Sequence, residues 1–95
     1  MVNGKTTSGF EFSYDERLLN DWRIMEAIAY ADSPDNIKKV KGTSDLVDFL
    51  LGDNRESLFE HIKKNNDGFI PANVLQKELF DILASAKESS NVKNS

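Results

Sequence analysis

At 95 residues, with 39% hydrophobic and 29% charged side chains, the chain has the makings of one globular domain with a single core and no separate catalytic lobe. It contains no cysteine, which excludes a disulfide scaffold and a thiolate metal centre, so packing must hold the fold. A net charge of -4 argues against nucleic acid as the main partner and suits a protein that meets other proteins.

Residues 1–9 are rich in Gly, Thr and Ser and read as an extended or mobile, flexible arm, with Asn3-Gly4 suited to a tight turn. Phe10, Phe12 and Tyr14 then alternate with Glu11 and Ser13, the period-2 signal of a half-buried strand with one aromatic face. No comparable strand follows. Its edge is left to lie on the helices, to pair with a short segment such as Phe69-Ile70, or to pair with another molecule.

Over 15–31 the pattern turns helical, with Leu18, Trp22, Met25 and Ala29 as the predicted core stripe and Ile24 and Ile28 widening it. Ser33 and Pro34 stop this helix and start the next, Ser33 as N-cap and Pro34 in the first turn. Ile37, Val40, Ser44, Val47 and Leu51 fall at helical spacing, so the second helix is expected to span 34–51 unless Gly42, Thr43 and Ser44 break it. The lysines Lys38, Lys39 and Lys41 are flanked by Asp35 and Asp45 and read as a solvated face rather than a phosphate site.

The run Asp45-Leu-Val-Asp-Phe-Leu-Leu51 is the most apolar in the chain and is the predicted central helix. At about 100° per residue, Val47, Leu50 and Leu51 share a face with Val40, while Leu46 and Phe49 point away, so burial on both sides is expected. A buried strand competes with this reading, against the leucine content, the aspartates and the lack of alternation. Gly52, Asp53 and Asn54 reverse the chain. A third helix follows with Leu58, Phe59 and Ile62 inward, and Lys63 and Lys64 suit its C-terminal end. Pro71 starts a fourth, with Leu75, Leu79, Ile82 and Ala86 inward, Leu83 beside them and Phe80 well off that face. Residues 88–95 are too polar to bury and read as a mobile, disordered tail. The expected architecture is mainly α: a single domain over 10–87, a small bundle of four helices, or five if Gly42 breaks the second, with one short N-terminal aromatic strand.

The stretch 63–70 lies between two helices as a calcium-binding EF-hand loop does, and Gly68 and Ile70 fit that register. Asn65 and Asp67 would occupy the third and fifth loop positions, but Lys63 stands at the first and Val74 at the twelfth, where the strongest oxygen ligands belong. Neither calcium nor any other cofactor is expected. Catalysis has little to stand on: His61 is the only histidine, no serine sits in a nucleophile elbow, and Asp15-Glu16 and Asp45/Asp48 suit helix first turns. No enzyme is expected. The surplus aromatics Phe10, Phe12, Phe49 and Phe80 have no obvious place in one core, and they are the candidate protein-binding residues.

Taken together, Phe10-Glu-Phe12, Asp15-Glu-Arg-Leu-Leu-Asn-Asp-Trp-Arg23, Asp45-Leu-Val-Asp-Phe-Leu-Leu-Gly52 and Asp67-Gly-Phe-Ile-Pro71 resemble the tail assembly chaperones of siphophages that infect Gram-positive bacteria. The likeness spans roughly residues 9–87 and rests on order, size and a few local words, none chemically diagnostic. It implies a small, mostly helical, non-virion protein that binds the tape measure protein and keeps it soluble during tail assembly, often alongside a longer frameshifted form. It implies no catalytic residue. Many copies of a small acidic domain exposing aromatics would shield an apolar-striped client, and self-association is compatible with that role. Alternatives from other classes are a degenerate EF-hand-like calcium-regulated module and an acidic regulatory adaptor occupying a DNA-binding protein's basic site. No run approaches the roughly 20 apolar residues of a membrane span, and Asn3, Gly4 and Lys5 replace any apolar signal core. The bacterial host cytoplasm is the expected location, with no membrane partner.

Overall fold

A computed structural model describes the backbone of residues 1–94 and the surroundings of side chains through Ser85. The expected disordered tail at 88–95 falls where no side-chain surroundings are described, and its last residue, Ser95, lies outside the described residues. The chain runs β1 (Val2–Lys5), β2 (Glu11–Tyr14), a 3-10 helix (Glu16–Asn20), α1 (Trp22–Ala31), α2 (Asn36–Leu51), a 3-10 turn (Gly52–Asn54), α3 (Arg55–Asn65) and α4 (Ala72–Asn94). It is a mainly helical domain carrying a small sheet at its N-terminus.

The aromatic strand finds its partner upstream. β1 and β2 pair antiparallel with Val2 opposite Tyr14 and Lys5 opposite Glu11. This corrects the flexible arm over 1–9: Val2 is 3% and Thr6 4% exposed, and the segment packs on α4. Its short polar composition hid the strand, since only Val2 brings an apolar side chain to the buried face. The turn closes through Gly9 N–H to the Thr6 carbonyl at 2.9 Å and Phe10 N–H to Thr6 Oγ1 at 3.1 Å.

The helix expected over 15–31 is two pieces. Asp15 caps the 3-10 helix, and Asp21, in extended backbone, caps α1 by accepting from Arg23 N–H at 2.9 Å. The break resets the phase, so α1 buries Ile24, Ala27 and Ala31 and turns Trp22 and Met25 to solvent, 71% and 50% exposed. Trp22, Met25 and Ala29 thus leave the predicted stripe, while Ile24, expected only to widen it, lies in the core and Leu18 and Ile28 pack against it.

Small residues on that inner face let α1 lie close against α2, its principal packing partner. Gly42 is buried at the crossing, where an added Cβ would fall 2.6 Å from both the Ala27 carbonyl oxygen and the Tyr30 Cβ. The glycine that looked like a helix break is therefore the contact point, and α2 is continuous through it. Its N-cap is Asp35, whose carboxylate accepts from Ile37 and Lys38 N–H, while Ser33 Oγ accepts from Asp35 N–H. The cap thus lies two residues later than expected, and Pro34 precedes the helix.

The central stretch is helical, but it buries one broad face rather than two: Leu46 and Val47 are 0% exposed and Leu50 and Leu51 join them in the core, while Phe49 and Val40, expected on opposite buried sides, are 36% and 63% exposed. Gly52 ends α2 at a φ of +52°. α3 buries Leu58 and Ile62, and α4 buries Leu79 and Ile82, as their stripes predict. α4 packs on β1 and α2, which closes the core.

Candidate functional site

Two features stand out, one polar and one apolar. The polar one joins the β1–β2 loop to α3 and α4. Glu78 is 3% exposed, and its Oε1 accepts from Thr6 Oγ1 at 2.9 Å and from Ser8 Oγ at 2.8 Å. Ser8 Oγ also lies 2.9 Å from His61 Nε2, and the Phe10 ring is 5.7 Å from the imidazole. Thr7 N–H reaches Asp81 Oδ2 at 3.3 Å.

A serine beside a histidine and a glutamate invites comparison with a hydrolytic triad, but the order is different. In a triad the imidazole stands between hydroxyl and carboxylate and takes the hydroxyl proton. Here the hydroxyl stands between imidazole and carboxylate and donates its hydrogen bond to Glu78 rather than to His61 Nε2, which lies 2.9 Å away. A carboxylate 2.8 Å from Ser8 Oγ would also oppose the negative charge of an acyl-transfer intermediate. The arrangement suits docking of the loop: two hydroxyls satisfy a buried carboxylate that would otherwise be costly.

The apolar feature is a groove of about 340 Å³ lined from α2, α3, the loop before α4 and the start of α4. Gln76 Nε2 donates to Thr43 Oγ1 at 3.4 Å, joining α4 and α2 on the groove's wall. Val40, Phe59, Ile70 and Leu75 supply its apolar lining, with Asn36 and Lys39 among its polar residues. The Arg55 guanidinium stacks 4.9 Å from the Phe59 ring centroid and pairs with Asp48 at 2.6 Å, which holds Phe59 in place. Ile37, one turn before Val40 on α2, is 82% exposed, and Phe69, next to Ile70 in the chain, is 72% exposed.

The four aromatics singled out in the sequence separate. Phe10 and Phe12 are 7% and 6% exposed and belong to the core, because pairing with β1 turns their face inward. They are not surface groups in this fold. Phe49 is half covered by Arg23, whose guanidinium lies 5.4 Å from the ring centroid, and Phe80 stays 47% exposed on α4. Neither Phe49 nor Phe80 lines the groove.

In the EF-hand-like stretch, Asn65 Nδ2 donates to the His61 carbonyl and Asn66 Nδ2 to the Ile62 carbonyl, closing the end of α3. Asp67 and Gly68 take positive φ to turn the chain. Among the described residues no three His, Cys, Asp or Glu side chains gather as a metal site. Nor is any helix among them long and apolar enough to cross a membrane.

Sequence reasoning placed Val40, Phe59 and Leu75 in the core and did not single out Ile70 as a binding residue. The signal was the pairing of Ile37 and Val40 with flanking lysines, since lysines beside apolar residues mark a half-exposed face. Compared with known proteins, the chain matches no family model, no curated protein and no solved structure.

Proposed function

We propose that this chain is a non-catalytic binding protein that shields an aggregation-prone helical client, in the manner of the siphophage tail assembly chaperones it resembles, with the tape measure protein as that client. The reading rests on one observation above all: an apolar groove between α2 and α4, lined by Val40, Phe59, Ile70 and Leu75, with Ile37 and Phe69 exposed beside lining residues in the chain. A groove walled by helices and lined by apolar side chains is the form that receives one face of an amphipathic helix.

A net charge of -4 keeps a client-laden complex soluble. The site of action on this reading is the bacterial host cytoplasm. Co-expression with a siphophage tape measure protein tests it. The wild type should raise the client's soluble fraction and co-purify with it, and Val40→Glu should do neither while keeping its fold. A client equally insoluble with and without the wild-type chain would overturn the proposal.

A further inference from the structure

The groove also carries a charge. Lys39 lines it, and neither Lys39 nor the adjacent Lys38 has a carboxylate within ion-pair distance among the described residues. Their neighbour Lys41 is by contrast held by Asp45 at 3.1 Å. Asp35, the nearest acid in sequence, spends one carboxylate oxygen on the backbone of α2. The first turn of α4, which supplies Ala72 to the groove, contains no acidic residue. A chain of net charge -4 thus presents an apolar groove whose own charged lining group is a cation.

Resting on the reading of this groove as a helix-binding site, we infer that its occupant is an amphipathic helix of a partner protein with a carboxylate beside its apolar stripe, placed to pair with Lys39. The aliphatic stripe fills the space between Val40, Phe59, Ile70 and Leu75. The flanking Asp or Glu meets the Lys39 ammonium at the edge. On a chain of net charge -4, an exposed pairing of this kind fixes where and in which direction the helix lies more than how tightly it binds. Thr43 Oγ1 accepts from Gln76 and donates to the Lys39 carbonyl, which leaves the lysine side chain as the ionic group of the lining.

Fluorescence anisotropy of the full chain with three capped helical peptides tests this. The peptides share leucines at i, i+3, i+4 and i+7 and differ only in a flanking Glu, Gln or Lys. The Glu peptide should bind about two- to fivefold tighter than the Lys peptide, the scale of an exposed ion pair, and the gap should shrink with added salt. Lys39→Glu should reverse the preference. Val40→Glu should abolish binding of all three peptides, with far-UV circular dichroism showing that each variant is folded. Equal affinities, or a preference that survives Lys39→Glu, would overturn the ionic pairing while the groove stands. Binding unaffected by Val40→Glu would instead remove the groove from the account, and this inference with it.

Discussion

Thr6 Oγ1 donates to Glu78 Oε1 at 2.9 Å, tying the hairpin loop to a helix 72 positions away. The acceptor is 3% exposed, so the carboxylate has little water to turn to if the donor is removed. Thr6→Val keeps the shape and deletes the hydroxyl. It should cost about 1 to 3 kcal/mol, the scale of a hydrogen bond to a buried charged group, read as a lower urea midpoint at unchanged slope.

Gly42 offers a test in which two effects have opposite signs. Replacing glycine by alanine inside a helix normally gains about 1 kcal/mol. Here the added methyl meets the Ala27 carbonyl oxygen at 2.6 Å, and backbone cannot swing away as a side-chain tip can. Forcing α1 from α2 should cost more than the propensity returns, so Gly42→Ala should be destabilising by at least about 1 kcal/mol. Thermal unfolding followed by circular dichroism decides the sign.

The phase of α1 is tested by one pair of truncations. Ile24 is 0% exposed and Trp22 71% exposed. Ile24→Ala should lower stability by about 2 to 5 kcal/mol, whereas Trp22→Ala should stay within about 0.5 kcal/mol of the wild type, as surface changes do. Equal losses at both positions would restore the stripe through Trp22 and Met25 that the sequence suggested.

Acid should act through the two caps. Hydrogen bonds from the Arg23 side chain hold the Asp21 carboxyl down to about 2, and Arg17 does the same for Asp15. A carboxyl that ionises more readily folded than unfolded, where its value is about 3.9, favours the folded state above that pH. Its contribution is lost as pH falls through about 2. Carboxyl-carbon NMR should place both midpoints near 2. Arg23→Gln should move Asp21 upward and leave Asp15 where it is.

What the sequence disclosed follows from which interactions are local. The stripes Leu58 with Ile62 and Leu79 with Ile82 needed only helical spacing, and all four are core residues. The phase of α1 was lost because Asp21 interrupts a pattern that stays periodic across it, so a stripe drawn from Leu18 to Ala29 joined two separate pieces. β1 was lost because its pairing depends on Phe12 and Tyr14 rather than on its own residues. Glu78 gave no sign, since a glutamate on a helix ordinarily faces water. The groove belongs to no single segment. Its lining is drawn from α2, α3, the loop before α4 and α4 itself, so no periodicity within one helix could disclose it.

The central claim is that the α2–α4 groove receives the client, and amide chemical-shift mapping tests it most directly. Isotope-labelled chain would be titrated with a soluble helical fragment of the tape measure protein. The account predicts the largest shifts at residues 36–44 and 69–76, and a fold otherwise unchanged. Shifts concentrated on the exposed Trp22 and Met25 face of α1, or absent at saturating fragment, would contradict it.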